Sequence, residues 1–518
     1  MKFTKLKVTN YRCFESFEIV FDEYIIDEQN QQHSINLHVL LAPNMVGKSA
    51  ILKALRIAIS GRFRKIKIPL AQPNTLNIGL REHRVLGNNI FNDIARFVSV
   101  EAEAIGNQLV GEVWGAVAYR WRLFKEESSE SSATEYENLY HTLAESASES
   151  YNYVIETQQE AVNPIFLFVG TEYIHIRQPE NIDDKPINGD ALRGYYYCLD
   201  DSNMEKYVFE WFEKLYITVL EQERSSIAKE MYGMFPRNTL AAFKKAVKQV
   251  LPKVIDIDWV KNTLEKTEQY IPTFNIEGEG IRSYDMLSDG YRYLVLLVGE
   301  LIVRATLLNK HLGIDVTEQV NGVVLIDEFG IHLHPDLQSN AMSRLASTFP
   351  KVQFIISTHS PLLVNGLRKE QLHLIFEDQT GKRYVEHPEE NAIGIGAEGI
   401  LMEMFRLPTT IDKVALEWQK EYTKLAKEKN SGLISKESLL RFHQLNQLLS
   451  RFRLDPSLQL KEEDPVAKFV KERIKEKHAK ATFEPKTEAE LKELKEQVDT
   501  VLDNLFNVDQ SKIKKDKL

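Results

Sequence analysis

Residues 37–49 read Leu-His-Val-Leu-Leu-Ala-Pro-Asn-Met-Val-Gly-Lys-Ser. An alternating strand with Leu37, Val39 and Leu41 on one side runs into a turn that ends in a glycine, a lysine and a hydroxyl. A phosphate loop needs a tight turn of backbone N–H groups, a cation that reaches the terminal phosphates and a hydroxyl for Mg²⁺ at a helix start. Gly47 allows close backbone approach, Lys48 supplies the cation and Ser49 the hydroxyl, with Asn44 in the turn and Ala50 in the first helical turn. Leu52, Leu55 and Ile59 follow at helical spacing, so the turn opens a helix. Ala42 occupies the place where such loops open on glycine, and Met45 one where a second glycine is common; alanine fits wherever φ is negative. Alone, the stretch fits a plain strand-turn-helix equally well, and the rest of the chain has to decide.

The deciding block lies in the second half. Gly322-Val-Val-Leu-Ile-Asp-Glu is an apolar run closed by Asp327 and Glu328, the pattern of a buried parallel strand ending in carboxylates. A carboxylate so placed can hold Mg²⁺ through water, and the next can polarise a water beside a γ-phosphate. Two acids capping a helix would give the same pattern. A third strand, 352–356, delivers Ser357-Thr-His359-Ser-Pro, where a neutral imidazole can donate to that phosphate. Upstream, Tyr-Asp-Met-Leu-Ser-Asp-Gly-Tyr-Arg, residues 284–292, leads into a helix that the sequence predicts to be amphipathic.

The N-terminal region, residues 3–41, alternates apolar and polar residues and predicts half-buried strands in antiparallel arrangement. Residues 61–67 carry four cations around Phe63, which suit either a solvated face or a phosphate backbone. Residues 126–149 are rich in Ser and Glu and predict a flexible insertion. Ile165–Val169 is a buried-strand candidate. Between 203 and 251 the pattern is helical, with Phe209, Phe212, Leu215 and Leu220 on one face and Phe243, Val247 and Val250 on another, after a start signal at Pro236–Asn238. No sustained heptads for a long coiled-coil arm are present.

With 518 residues and 43% hydrophobic content, the chain is long enough for two to three globular units. Its net charge of −10 disfavours a surface built throughout for nucleic acid, so any DNA contact must be local. Two cysteines, Cys13 and Cys198, offer neither a disulfide framework nor a metal cluster. The most apolar run, 294–303, contains Glu300 and is too short for a bilayer. A cytoplasmic protein without a membrane partner is expected.

Taken together these blocks resemble the ATPase heads of the ABC type found in SMC, RecF and OLD proteins, over most of the chain outside 125–160. Asn10-Tyr-Arg12-Cys-Phe14 is similar to the family's Asn-Phe-Arg-x-Phe opening. Leu287-Ser288-Asp289-Gly290-Tyr291 resembles its Leu-Ser-Gly-Gly-Gln signature, with Asp289 in place of the first paired glycine. Ile326 to Pro335 looks like Walker B and the D-loop, and His359 matches the switch histidine. The resemblance implies an α/β fold: an ABC-type P-loop head with a mixed β-sheet, flanking helices, an antiparallel N-terminal subdomain, a helical insertion and a helical C-terminal extension. It implies ATP and Mg²⁺ as ligands. Arg12, Asn44, Gly47, Lys48, Ser49 and Ala50 would contact nucleotide, Ser49 and Asp327 would hold the metal, and Glu328, His359 and Lys48 would be catalytic. Ser288 and Gly290 would reach the ATP of a second subunit, making a homodimer or larger assembly. Gln72 is a candidate for the family's Q-loop glutamine.

Five segments follow: 1–125, the N-terminal lobe with the loop; 126–160, the insertion; 161–270, a strand and helical subdomain; 271–390, the second lobe; and 391–518, a helical extension. That extension resembles the one in the defence-associated branch, such as the ATPase subunit of Septu systems. Val414, Trp418, Tyr422 and Leu425 mark one helix face, Leu439, Phe442, Leu445, Leu449 and Phe452 a second. A third helix is expected from Thr487, with Glu490 in capping-box spacing. The resemblance implies a regulatory ATPase of a bacterial antiphage system, acting on a nuclease or toxin partner. The alternative is a RecF- or SMC-like ATPase of DNA repair, which would grip DNA through residues 61–67 and Lys244, Lys245 and Lys248.

Overall fold

The computed structural model describes residues 1–26, 31–63, 76–86, 94–110, 113–126, 133–137, 162–171, 173, 191–200, 204–262, 269–407, 409–410, 412–431 and 434–451. Residues 64–67 of the basic stretch, Gln72, most of the 126–160 insertion, Phe452 and the helix expected from Thr487 lie outside them. The chain divides into two compact units, Met1–Thr410 and Ile411–Leu518.

The first unit is built around a six-stranded sheet in the order Arg383–Glu386, Leu372–Glu377, Leu37–Leu41, Val352–Ser357, Gly322–Ile326, Ile165–Val169. The last five run parallel, and Arg383–Glu386 pairs antiparallel at one edge. Apolar runs such as Gly322–Ile326 and Ile165–Val169 are buried at every position, as strands covered on both faces must be. The strand Leu37–Leu41 departs from its sequence pattern here. Alternation predicts a half-buried antiparallel strand, but all five residues are buried and both neighbouring strands are parallel. The polar position, His38, is accommodated inside because its Nδ1 meets Nε2 of His373, on the adjacent strand, at 3.2 Å.

An antiparallel sheet in the order Phe14–Val20, Lys2–Tyr11, Phe97–Val110, Val113–Glu126, Ala133–Glu137 packs over the helix Lys48–Phe63. Trp121 of this sheet donates its indole N–H to the Ala58 carbonyl at 3.0 Å, tying the sheet to the helix that follows the loop. The Ser- and Glu-rich stretch therefore supplies a strand, 133–137, where sequence composition predicts only a flexible insertion. Cross-strand pairing to residues 120–124 supplies the order that composition does not reveal.

The helix Asp289–Leu308 lies in the core of the unit. Its pattern predicts one apolar face, yet every residue but Asp289, Tyr291 and Arg292 is buried. The helices Glu205–Arg224 and Phe235–Val250 cover it: a Cβ at Gly299 would lie 3.0 Å from Val208 and 3.4 Å from Phe243. Leu220 of the first covering helix is only half-buried, and its inward face runs through Val208, Trp211, Phe212 and Leu215. Glu300 is buried with its charge matched by Arg304, whose Nη2 and Nε reach it at 2.5 and 2.9 Å, and by the Tyr173 hydroxyl. Nη1 of Arg304 donates to the carbonyls of Gly194 and Tyr196 at 2.9 and 2.8 Å.

In the second unit, the helices Lys413–Asn430 and Lys436–Arg451 pair through Leu425, Phe442 and Leu445, with Trp418 and Tyr422 against them. Arg441 bonds Glu421 through two nitrogens at 3.0 and 2.9 Å. Val414, placed on the apolar face by its spacing, is exposed, and Ala415 is the buried residue of that turn.

Candidate nucleotide-binding site

Three adjacent parallel strands carry the predicted residues at their C-terminal ends. Leu37–Leu41 feeds the loop, Val352–Ser357 lies beside it, and Gly322–Ile326 comes next. The loop turns at Met45, with φ of 67°, and at Gly47, with φ of 122°. Ala42 is absent from the positive-φ positions, so an alanine there is unstrained. Its carbonyl accepts a bond from Lys48 Nζ at 3.1 Å. The same ammonium lies 2.7 Å from Nε2 of His359, and that nitrogen is 3.2 Å from Oε1 of Glu328. Ser49 Oγ donates to Oδ1 of Asp327 at 3.1 Å. Lys48, Ser49, Asp327, Glu328 and His359, separated by up to 311 positions, thus form one connected cluster.

Burial holds the Lys48 amine below its ordinary value, opposed by the carboxylates of Glu328 and Asp327. Burial and then the charge of Lys48 hold the His359 imidazole below its ordinary value, again opposed by Glu328 and Asp327. For His359, burial and the Lys48 charge both favour the neutral imidazole. Ser49 and Asp327 converge one hydroxyl and one carboxylate oxygen, hard donors that suit Mg²⁺ with phosphate and water completing its shell. The site therefore fits the implied metal.

Asn44 is exposed on the turn, and Ala50 is buried in the first helical turn. The Asn10–Phe14 motif packs on the loop: Cys13 Sγ lies 3.8 Å from the Val46 carbonyl, and Phe14 and Cys13 crowd Gly47. Arg12 is held by Glu82, through Nη2 at 2.8 Å and its backbone N–H at 2.7 Å. Ser288 and Gly290 are not among the groups these bonds join. Ser288 begins the helix Asp289–Leu308 without a capping bond, and Gly290 abuts the segment after Glu328, where a Cβ would lie 2.9 Å from the His332 carbonyl.

Sequence reasoning missed Ser357. It is fully buried, and its hydroxyl bonds both Asp327 and the Glu328 backbone, at 2.6 and 2.8 Å. The pairing of Ile326 with Ile356 puts Ser357 level with Asp327, a fact that register alone supplies. The lysines proposed for DNA are engaged locally: Lys245 with Glu318 at 2.7 Å, Lys248 with Asp256 at 3.1 Å, and Lys244 over the Trp259 ring.

Fold and site are those of a P-loop nucleotide-binding arrangement, and the chain is similar to AAA-type proteins. Residues 1–110 match the family described as "AAA ATPase domain", and residues 192–365 the one described as "AAA domain, putative AbiEii toxin, Type IV TA system". The "Retron Vc95 probable ATPase" of Vibrio cholerae serotype O1 biovar El Tor is 35% identical over 176 residues, 34% of this chain and 33% of that protein. "Septu protein PtuA" of Bacillus thuringiensis is 23% identical over 272 residues, 52% and 63% of the two chains. This chain thus spans less than two thirds of the length of these relatives. The SMC head bound to the C-terminal winged-helix domain of ScpA aligns with a TM-score of 0.40 at 11% identity, over 75% of this chain and 98% of that one. The chain is thus similar to AAA-type ATPases, the retron and Septu proteins among them.

Proposed function

We propose that this protein hydrolyses ATP and uses the cycle to control an effector of an antiphage defence system. The observation that carries the reading is the convergence of Lys48, Ser49, Asp327, Glu328 and His359 at the ends of three neighbouring strands. Loop N–H groups and Lys48 bind the phosphates. Ser49 and Asp327 would hold Mg²⁺, which when bound neutralises charge on the phosphate oxygens. Glu328 orients the attacking water and takes its proton. His359 Nε2 cannot accept from Lys48 and donate at the same time; when phosphate draws Lys48 away, the imidazole gives up its Nδ1 proton to water and takes one from water at Nε2, and this Nε2–H donates to the γ-phosphate.

Ser288 and Gly290 of a second copy complete the site, so ATP closes a homodimer and hydrolysis opens it. The partner would be a nuclease or toxin, as the resemblance to the defence-associated branch implies. Among the described residues no helix is long and apolar enough to cross a membrane. The test is phosphate release by the wild type and by Glu328→Gln, followed by purification of tagged Glu328→Gln from its host with ATP. We expect lost turnover, retained nucleotide, a dimer and a stoichiometric small nuclease or toxin. Unchanged hydrolysis in Glu328→Gln sinks the base assignment. Recovery of the protein with only duplex DNA would replace the regulator by a repair clamp.

A further inference from the structure

The bonds around Ser357 extend the proposed ATPase reading, on which they rest, to a residue that touches no nucleotide-binding group of the loop. Glu328 has a φ of 55°, in the left-handed region that a non-glycine residue adopts only under strain. Something has to hold it there. On its N-terminal side, the Asp327 N–H donates to the Val169 carbonyl at 2.8 Å. On the other side the strand Val352–Ser357 does the holding. The Glu328 N–H donates to Ser357 Oγ at 2.8 Å, and the Phe329 N–H to the Ser357 carbonyl at 2.9 Å. The same Oγ donates its own proton to Oδ1 of Asp327 at 2.6 Å.

We infer that Ser357 is a positioning residue for catalysis, fixing the strained Glu328 backbone and the Asp327 carboxylate through one hydroxyl. The chemistry selects this side chain. An acceptor for an amide and a donor to a carboxylate are needed from one atom on a short arm, at a point with no solvent exposure. A hydroxyl does both. Alanine would leave a buried N–H without its acceptor and Asp327 with Ser49 as its remaining hydroxyl partner. Thr358 and Ser360 extend the arrangement around His359. Thr358 Oγ1 donates to the Phe329 carbonyl at 2.8 Å, and Ser360 Oγ to Gln338 at 2.6 Å. Gln338 in turn bonds the carbonyls of Gly330 and Leu333, both at 2.9 Å. Ser357 alone of these hydroxyls touches the residues that carry the two carboxylates.

The test compares Ser357→Thr with Ser357→Val, which share a shape and differ in the hydroxyl, beside Ser357→Ala. Turnover is expressed per nucleotide-binding site, titrated with a fluorescent ATP analogue, so that loss of folded protein does not count. Thr should keep kcat within a few-fold of wild type. Val and Ala should lose roughly 10- to 100-fold in kcat, with the KM for ATP and the affinity for the analogue within about threefold. Equal kcat per site in Thr and Val overturns the inference while leaving the ATPase reading intact. A wild type that binds the analogue and releases no phosphate overturns that reading, and this inference with it.

Discussion

The ammonium of Lys48 and Nε2 of His359 lie 2.7 Å apart, although 311 residues separate them in the chain. Both groups carry acid–base consequences that can be measured. Burial and Lys48 hold His359 below its ordinary value near 6.5, so the unfolded chain binds this proton more readily than the folded one. The stability that His359 contributes is therefore present above pH 6.5 and is lost as pH falls through the folded value. Turnover should follow the same sign: kcat/KM stays flat as pH drops through 6.5, with its acid limb lower. In Lys48→Met the second cause of the shift is gone while Glu328 and Asp327 remain, so His359 should titrate at a higher pH than in the wild type. Nitrogen NMR of labelled histidine, assigned against His359→Gln, reads this directly. A His359 titration that stays put in Lys48→Met would mean that the ammonium contact does not exist in solution.

Gly47 joins the loop to the Asn10–Phe14 motif. Its φ of 122° suits glycine, and a Cβ there would lie 2.5 Å from Phe14 Cζ and 2.9 Å from Cys13 Sγ. Gly47→Ala should cost about 1–3 kcal/mol of stability and abolish detectable binding of a fluorescent ATP analogue, because the loop must shift away from the phosphates. Phe14→Leu added to Gly47→Ala relieves the Phe14 contact and leaves the Cys13 contact and the dihedral unmet, so affinity should stay lost. Full binding by Gly47→Ala would show that this loop geometry is not what holds phosphate.

Much of this site is legible in the sequence because its chemistry is local. Gly47, Lys48 and Ser49 adjoin one another, Asp327 and Glu328 follow the strand Gly322–Ile326 without a gap, and His359 closes a third apolar run. What the sequence hides is nonlocal. Ser357 takes its role from register against Gly322–Ile326, which pattern does not specify. His38 reads as a surface position by alternation, and its burial depends on His373, 335 residues away. The helix Asp289–Leu308 is predicted to have one apolar face, yet it is buried almost all round: a covering layer that periodicity cannot reveal surrounds it, and its own Glu300 and Arg304 pair inside the core. Strand 133–137 is ordered by its partner and not by its own composition.

The buried pair His38 and His373 makes the loop-bearing strand sensitive to acid. His38 is pushed down to about 3 by burial, with Lys2 and His387 adding to the effect, and His373 is lowered by burial, His38 and His387. Phe21 presents its edge to both rings, and His387 itself faces Asp22 at 3.5 Å. For His38 the unfolded value near 6.5 exceeds the folded one, so the unfolded chain binds more protons between about 3 and 6.5. Stability must therefore rise with pH across that window, by up to about 1.4 kcal/mol per pH unit for each such histidine. Urea unfolding from pH 4.5 to 7 should show this slope in the wild type. The double variant His38→Gln, His373→Gln keeps polar side chains that can bond each other and removes both titrations, so its slope should be shallower by that amount per histidine. Parallel slopes would mean that the two rings are not both neutral and buried. Because His38 lies on the strand that leads into Ala42 and Lys48, nucleotide affinity should fall over the same acid range in the wild type and hold further down in the double variant.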